Sequence, residues 1–293
     1  MNAADFNLLG RWVAARVRMT LRSPRALGFT FAFPLVLVTL FGALNAGQEV
    51  ASPAGGDVPF AQYYTPAIGV FAVTLACYTT LVIGVATARE TGLLKRVRGT
   101  PLPLPVYLGA WLTGAALVGI ASVVLLFVVA VPALGVDVYA RTLPQALLTL
   151  ALGAACLGSL GLALGTVAKT AEQAQPLAQL TFLPISFISG VWFPITHAPS
   201  WLTHLASFFP LSHLVDAFTA CFVAGGSVAA SDLRALALWG AAGDPEEVLF
   251  HGGHARTRTF RSPQRKLGIS RETRRAAAAP RTASPPRPTA PAP

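Results

Sequence analysis

Five uncharged apolar stretches punctuate the chain, at residues 26–45, 62–88, 106–134, 143–168 and 177–195. None contains Asp, Glu, Lys or Arg, and each is close to or above the ~20 residues that cross ~30 Å of hydrocarbon. A backbone inside lipid must satisfy its own hydrogen bonds, so the pattern predicts helices rather than strands. Pro34, Pro132 and Pro184 fall inside these runs or near their ends, where a membrane helix tolerates a kink. A further stretch of eleven residues runs from Leu233 to Gly243, too short to cross a bilayer. The expected fold class is an all-α, polytopic integral membrane protein with a bundle of five to six transmembrane helices.

Polar positions ahead of the first stretch follow a helical period. Arg11, Arg18, Arg22 and Arg25 are spaced by 7, 4 and 3, which places them on one face, while Leu9, Trp12, Val13 and Val17 take the rest. That predicts an amphipathic helix lying in the membrane interface, with Trp12 at headgroup level and the arginines toward anionic lipid. Orientation follows from Lys and Arg in the short loops. Arg89, Lys95, Arg96 and Arg98 lie between the second and third stretches and Lys169 follows the fourth, whereas residues 46–61 hold none and the loop near Asp137 has only Arg141. The N-terminus and the 89–105 loop are therefore expected in the cytoplasm of a multi-pass protein of the inner (plasma) membrane.

Composition agrees: 12% of residues are charged and 54% hydrophobic, against about 25% charged in soluble domains. The net charge of +10 suggests nucleic acid, but six of those charges belong to residues 244–293. The membrane domain is expected to cover 1–243. The tail, rich in Arg, Pro, Ala and Thr, lacks apolar periodicity and reads as a disordered, frameshifted or divergent replacement for a sixth span. An RNA-binding arm is the other reading of its arginines; no nucleic-acid partner is expected. Cys77, Cys156 and Cys221 match neither a zinc nor a disulfide pattern and read as packing residues. Gly161 and Gly165 form a Gly-x-x-x-Gly pair suited to close helix approach, most simply within one subunit, with a dimer contact as the alternative.

Two places carry candidate chemistry. Residues 89–105 contain a compact helix-forming core, Leu93-Leu94-Lys95-Arg96-Val97-Arg98, ended by Gly99 and Pro101. Two leucines beside cationic groups and the single acid Glu90 suit docking in a groove of a partner protein. Beyond the fifth stretch lie His197, His204, His213 and Asp216, the basis for an alternative reading as a metal-dependent or intramembrane enzyme. Pro199 and Pro210 interrupt any single helix that would align them. The stretches hold no ionisable group that would serve ion coupling. No Gly-x-x-x-x-Gly-Lys-Ser/Thr phosphate loop occurs either.

The run Ala88-Arg89-Glu90-Thr91-Gly92-Leu93-Leu94-Lys95-Arg96-Val97-Arg98-Gly99-Thr100-Pro101 resembles the cytoplasmic loop of ABC-2 type transporter permeases, in the drug-export branch related to daunorubicin-resistance permeases. Gly190, Trp192 and Pro194, followed by Trp201, Pro210, His213 and Asp216, resemble the outer re-entrant region of the same family. The resemblance implies an exporter of a hydrophobic or amphipathic cargo, such as a drug, lipid or lipid-linked molecule. It implies two permease copies, identical or not, and separate ATP-binding subunits, so that ATP is bound by the partner and this chain carries neither cofactor nor enzymatic activity. Arg89, Glu90, Gly92, Leu93, Leu94, Lys95, Arg96 and Arg98 would then contact the ATPase.

Overall fold

The computed structural model describes residues 3–22, 28–52, 56–99, 104–195 and 198–243, all within the compact unit Met1–Gly252. The second unit, Gly253–Pro293, lies outside the described residues, as does the rest of the tail expected from 244 onward. The described chain is predominantly helical. Helix α1 (Ala3–Leu21) is followed by a π-helical turn (Gly28–Ala32) that leads into α2 (Phe33–Leu44). Then come α3 (Phe60–Glu90), α4 (Leu93–Arg98), α5 (Leu104–Leu134), α6 (Leu143–Val167) and α7 (Ala171–Ile188). Two short helices, α8 (Ser200–Ala206) and α9 (Pro210–Ala220), precede α10 (Ala230–Ala242).

The segments Phe60–Glu90, Val106–Leu134 and Leu143–Val167 are long and apolar enough to cross a membrane unaided. The first and fifth expected spans are realised as shorter helices. Seventeen residues run from Gly28 to Leu44, and Ala26 lies outside the described residues. The fifth begins at Ala171 and ends at Ile188, because Gly190 at φ 77° turns the chain before Ile195. The sixth is the 13-residue α10, about 20 Å long at 1.5 Å per residue.

Helix α3 is the hub. It is buried along almost its whole length, whereas α5 exposes Leu117, Val124, Leu125, Val128 and Val131 in the manner of a lipid-facing helix. A π-helical turn over Leu75–Thr79 inserts one extra residue, and the Thr80 hydroxyl donates to the Leu75 carbonyl at 3.1 Å. This bulge meets α6 where side chains are missing. A Cβ on Gly161 would stand 2.7 Å from the Tyr78 carbonyl oxygen, and one on Gly165 would stand 2.9 Å from that of Val82. The Gly-x-x-x-Gly pair thus serves packing within one subunit. Lipid tails are as apolar as leucine, so van der Waals fit between backbones is what holds such helices together.

A small antiparallel hairpin, Glu49–Ala51 paired with Asp57–Pro59, caps the link between α2 and α3; the apolar pattern gave no sign of it. Beneath it Gln62 joins three segments. Its amide NH2 donates to the carbonyls of Asp137 at 2.9 Å and Phe222 at 2.5 Å, while its oxygen accepts from Asp137 N at 2.8 Å.

Candidate functional site

Basic side chains collect at one end of the bundle. Helix α1 lies across α5 there, with Trp12 edge-on to Tyr107 at 5.8 Å and Arg11, Arg18 and Arg22 exposed as the helical spacing predicts. Arg25 lies outside the described residues. Arg16 turns the other way. Its guanidinium sits 3.9 Å from the Trp111 ring centroid, in space left by Gly84 and Gly114. Burial lowers its pKa, with Tyr107 acting in the opposite sense. Periodicity singled out the exposed arginines and missed this one, whose isolation from their spacing was the available signal.

Helix α4 starts where Gly92, at φ 70°, breaks the line of α3, and Gly99 closes it. The two leucines part company. Leu93 is 42% exposed, whereas Leu94 packs against the core and Val97 is buried. Arg96 is exposed on the same helix that carries Lys95 and Arg98. Arg89, half-buried, and Glu90, exposed, both bond back to the ends of neighbouring helices. An Arg89 guanidinium N–H donates to the Thr166 carbonyl at the end of α6, and a Glu90 carboxylate oxygen accepts from Ala171 N at 2.7 Å.

At the opposite end, Tyr63 donates to the Gly190 carbonyl at 2.6 Å. Trp192 stacks on Phe187 at 5.4 Å, meets Phe71 edge-on at 5.2 Å and donates from Nε1 to Ser186 Oγ at 3.1 Å. Pro194 is half-buried and Trp201 is exposed on α8. Pro210 opens α9, where its missing N–H costs nothing. His213 on α9 lies between two partners, Nδ1 at 2.9 Å from Asp232 Oδ1 on α10 and Nε2 at 2.9 Å from the Ser207 carbonyl. Asp216, one turn further along α9, has its pKa raised to about 6, first by burial and then by Asp232, with His213 acting against them. Of the other histidines, His204 is exposed, and His197, His251 and His254 lie outside the described residues. Among the described residues no three His, Cys, Asp or Glu side chains form a group able to hold a metal ion.

An apolar cavity of about 430 Å³ opens between α3, α6, α7 and α10, lined by Tyr78, Leu160, Leu164, Phe182, Phe209 and Trp239 among others. Its hydrogen-bonding groups are engaged: Tyr78 with Thr181 at 2.8 Å, and Trp239 Nε1 with the Phe208 carbonyl at 3.1 Å.

No curated relative matches this sequence. The family described as ABC-2 type transporter matches residues 11–223, a span that takes in α1 from Arg11 onward, the α3–α4 junction and the helices through α9. The basic helix α1 from Arg11 onward, the short helix α4 at the same end of the bundle and the broken segment around Gly190 at the opposite end fall inside that match, and the chain belongs to the ABC-2 type transporter family as a membrane permease component of an ABC transporter.

Proposed function

We propose that this chain is the membrane subunit of an exporter driven by a separate ATP-binding subunit that docks on α4. The observation that carries the reading is the pose of α4. It stands at the end of the longest buried helix, presents Leu93 and Arg96 outward and is anchored inward by Leu94 and Val97. An exposed leucine beside cationic groups suits a groove rimmed by acidic side chains. Nucleotide-driven movement of the partner would enter the bundle here and rock the spans about α3.

The charge distribution supports a cytoplasmic N-terminus in a plasma (inner) membrane. Arg11, Arg16, Arg18, Arg22, Arg89, Arg96 and Lys169 share one end, whereas among the described Lys and Arg residues only Arg141 and Arg234 belong to the other. An apolar cavity with its polar groups already paired favours a hydrophobic or amphipathic cargo, as the drug-export branch would carry. Two copies of the permease, identical or paired with a relative, complete the assembly.

A pull-down of the full chain in mild detergent tests this reading, with Leu93→Asp as the discriminating variant. Leu94 is left in place because its change would damage the core. Co-purification of an ATP-hydrolysing subunit with the parent chain, lost in a Leu93→Asp protein of unchanged melting temperature, is the expected result. Equal recovery with both proteins removes α4 as the docking element, and an absence of ATPase from both removes the pump reading.

A further inference from the structure

Arg89 and Glu90 are consecutive, opposite in charge, and reach different helix ends. Arg89 donates to the carbonyl of Thr166, in the last turn of α6. Glu90 accepts from the N–H of Ala171, the first residue of α7. Helix ends leave four carbonyls or four N–H groups without internal partners, and the ends carry partial negative and positive charge respectively. Each side chain therefore meets the terminus of matching sign. Thr170, the N-cap of α7, takes the Gln173 N–H at 3.3 Å, so Glu90 supplies a second acceptor for the same terminus. Only residues 168–170 separate α6 from α7, and only Thr91 and Gly92 separate Glu90 from α4.

We propose that Arg89 and Glu90 are positioning residues that latch α4 to the α6–α7 turn, so that the two move as one rigid block during transport. Their adjacency to the docking helix suggests partner contacts, but their hydrogen bonds lie inside the permease. A push on α4 then passes through Thr91, Gly92 and the last residues of α3 into the start of α7, and is not confined to α3 and α5, the helices to which α4 is joined by sequence. Helix α7 runs to Gly190 and the outer cluster, so the latch gives motion at the inner end a mechanical route to the outer end. The role in transport rests on the permease reading; the latch itself rests on the two contacts.

Ala171→Pro is the sharpest probe. It removes the N–H that Glu90 accepts, at the first helical position, where proline is tolerated, and Thr170 before it is already extended at φ −131° and ψ 160°. Glu90→Ala removes the acceptor, and Glu90→Gln keeps an acceptor oxygen without the charge. Spin labels introduced through Gly99→Cys, at the closing cap of α4, and Gln175→Cys, both exposed and both outside the docking face, report the separation of α4 from α7 by pulsed electron resonance. In the permease alone, the parent and Glu90→Gln should give one narrow distance; Ala171→Pro and Glu90→Ala should give a broadened one at unchanged melting temperature. In the complex with its ATPase, the parent distance should stay the same between nucleotide-free and vanadate-trapped states, and the Ala171→Pro distance should change. A parent distance that shifts on trapping, or variants whose distributions superimpose on the parent, overturns the latch. Failure to recover an ATPase sinks the functional reading and leaves the measurement on the permease alone to decide the latch.

Discussion

The Tyr63 hydroxyl donates to the Gly190 carbonyl at 2.6 Å, tying the first turn of α3 to the corner where α7 ends. Gly190 adopts φ 77°, and a Cβ there would stand 3.2 Å from the same hydroxyl. Both residues thus shape one joint at the end of the bundle opposite α4. Tyr63→Phe should lower stability by about 1 kcal/mol, the usual net worth of a buried hydrogen bond. Gly190→Ala should cost about 1–2 kcal/mol for left-handed backbone alone. The double variant should lose less than the sum, since removing the hydroxyl relieves the contact with the new methyl group. Thermal melts of the four proteins in one detergent provide the check; strict additivity would show that the two act separately.

Gly161→Ala should destabilise the bundle by about 1–3 kcal/mol, because the new methyl group meets main-chain atoms of the α3 bulge that cannot rotate away. Gly165→Ala should behave similarly against Val82. Gly10→Ala, in α1 with nothing within 4 Å of its Cβ position, should be neutral or stabilising by up to about 1 kcal/mol. Urea or thermal midpoints of the three variants separate close approach from helix propensity.

Arg16→Ala should reduce the melting temperature more than Arg18→Ala, since Arg16 covers Trp111 while Arg18 is exposed. The stacked cation and its buried stem suggest a loss of about 1–2 kcal/mol. Arg16→Lys should recover only part of it, because an ammonium lacks the planar face that stacks on an indole. Quenching of tryptophan fluorescence by a soluble agent should rise in Arg16→Ala if Trp111 becomes uncovered.

Asp216 makes stability depend on pH in a defined direction. Its folded pKa of about 6 lies above the value of about 3.9 expected when unfolded, so the fold favours the protonated form. Stability should therefore fall as pH rises from about 4 through 6, by up to about 3 kcal/mol from this group alone. Asp216→Asn should flatten that part of the profile and raise the melting temperature at pH 8. A profile between pH 4 and 8 unchanged by Asp216→Asn would contradict the assignment.

Much of this architecture was legible in the order of residues. Uncharged runs of membrane length can only be helical in lipid, and the clustering of arginine and lysine in alternate loops separates the two ends of the bundle. The spacing of Arg11, Arg18 and Arg22 announced the exposed face of α1, and the resemblance around residues 88–101 pointed to the family that the match over 11–223 then showed. Those signals are local: they depend on the hydropathy and charge of neighbouring residues, or on a fixed helical period.

What only the tertiary structure decided are partnerships across the chain. Nothing near Gln62 indicates that its amide will join Asp137 and Phe222, 75 and 160 residues away. Leu93 and Leu94 are equivalent as hydrophobes, yet the rotation of α4 set by Gly92 exposes one and packs the other. Arg89 and Glu90 read alike as surface charges of a basic loop until α6 and α7 bring a carbonyl and an N–H to meet them. Helix ends and polar amides are satisfied by whatever group packing delivers, and packing depends on the shapes of all the helices together, which no single stretch of sequence contains.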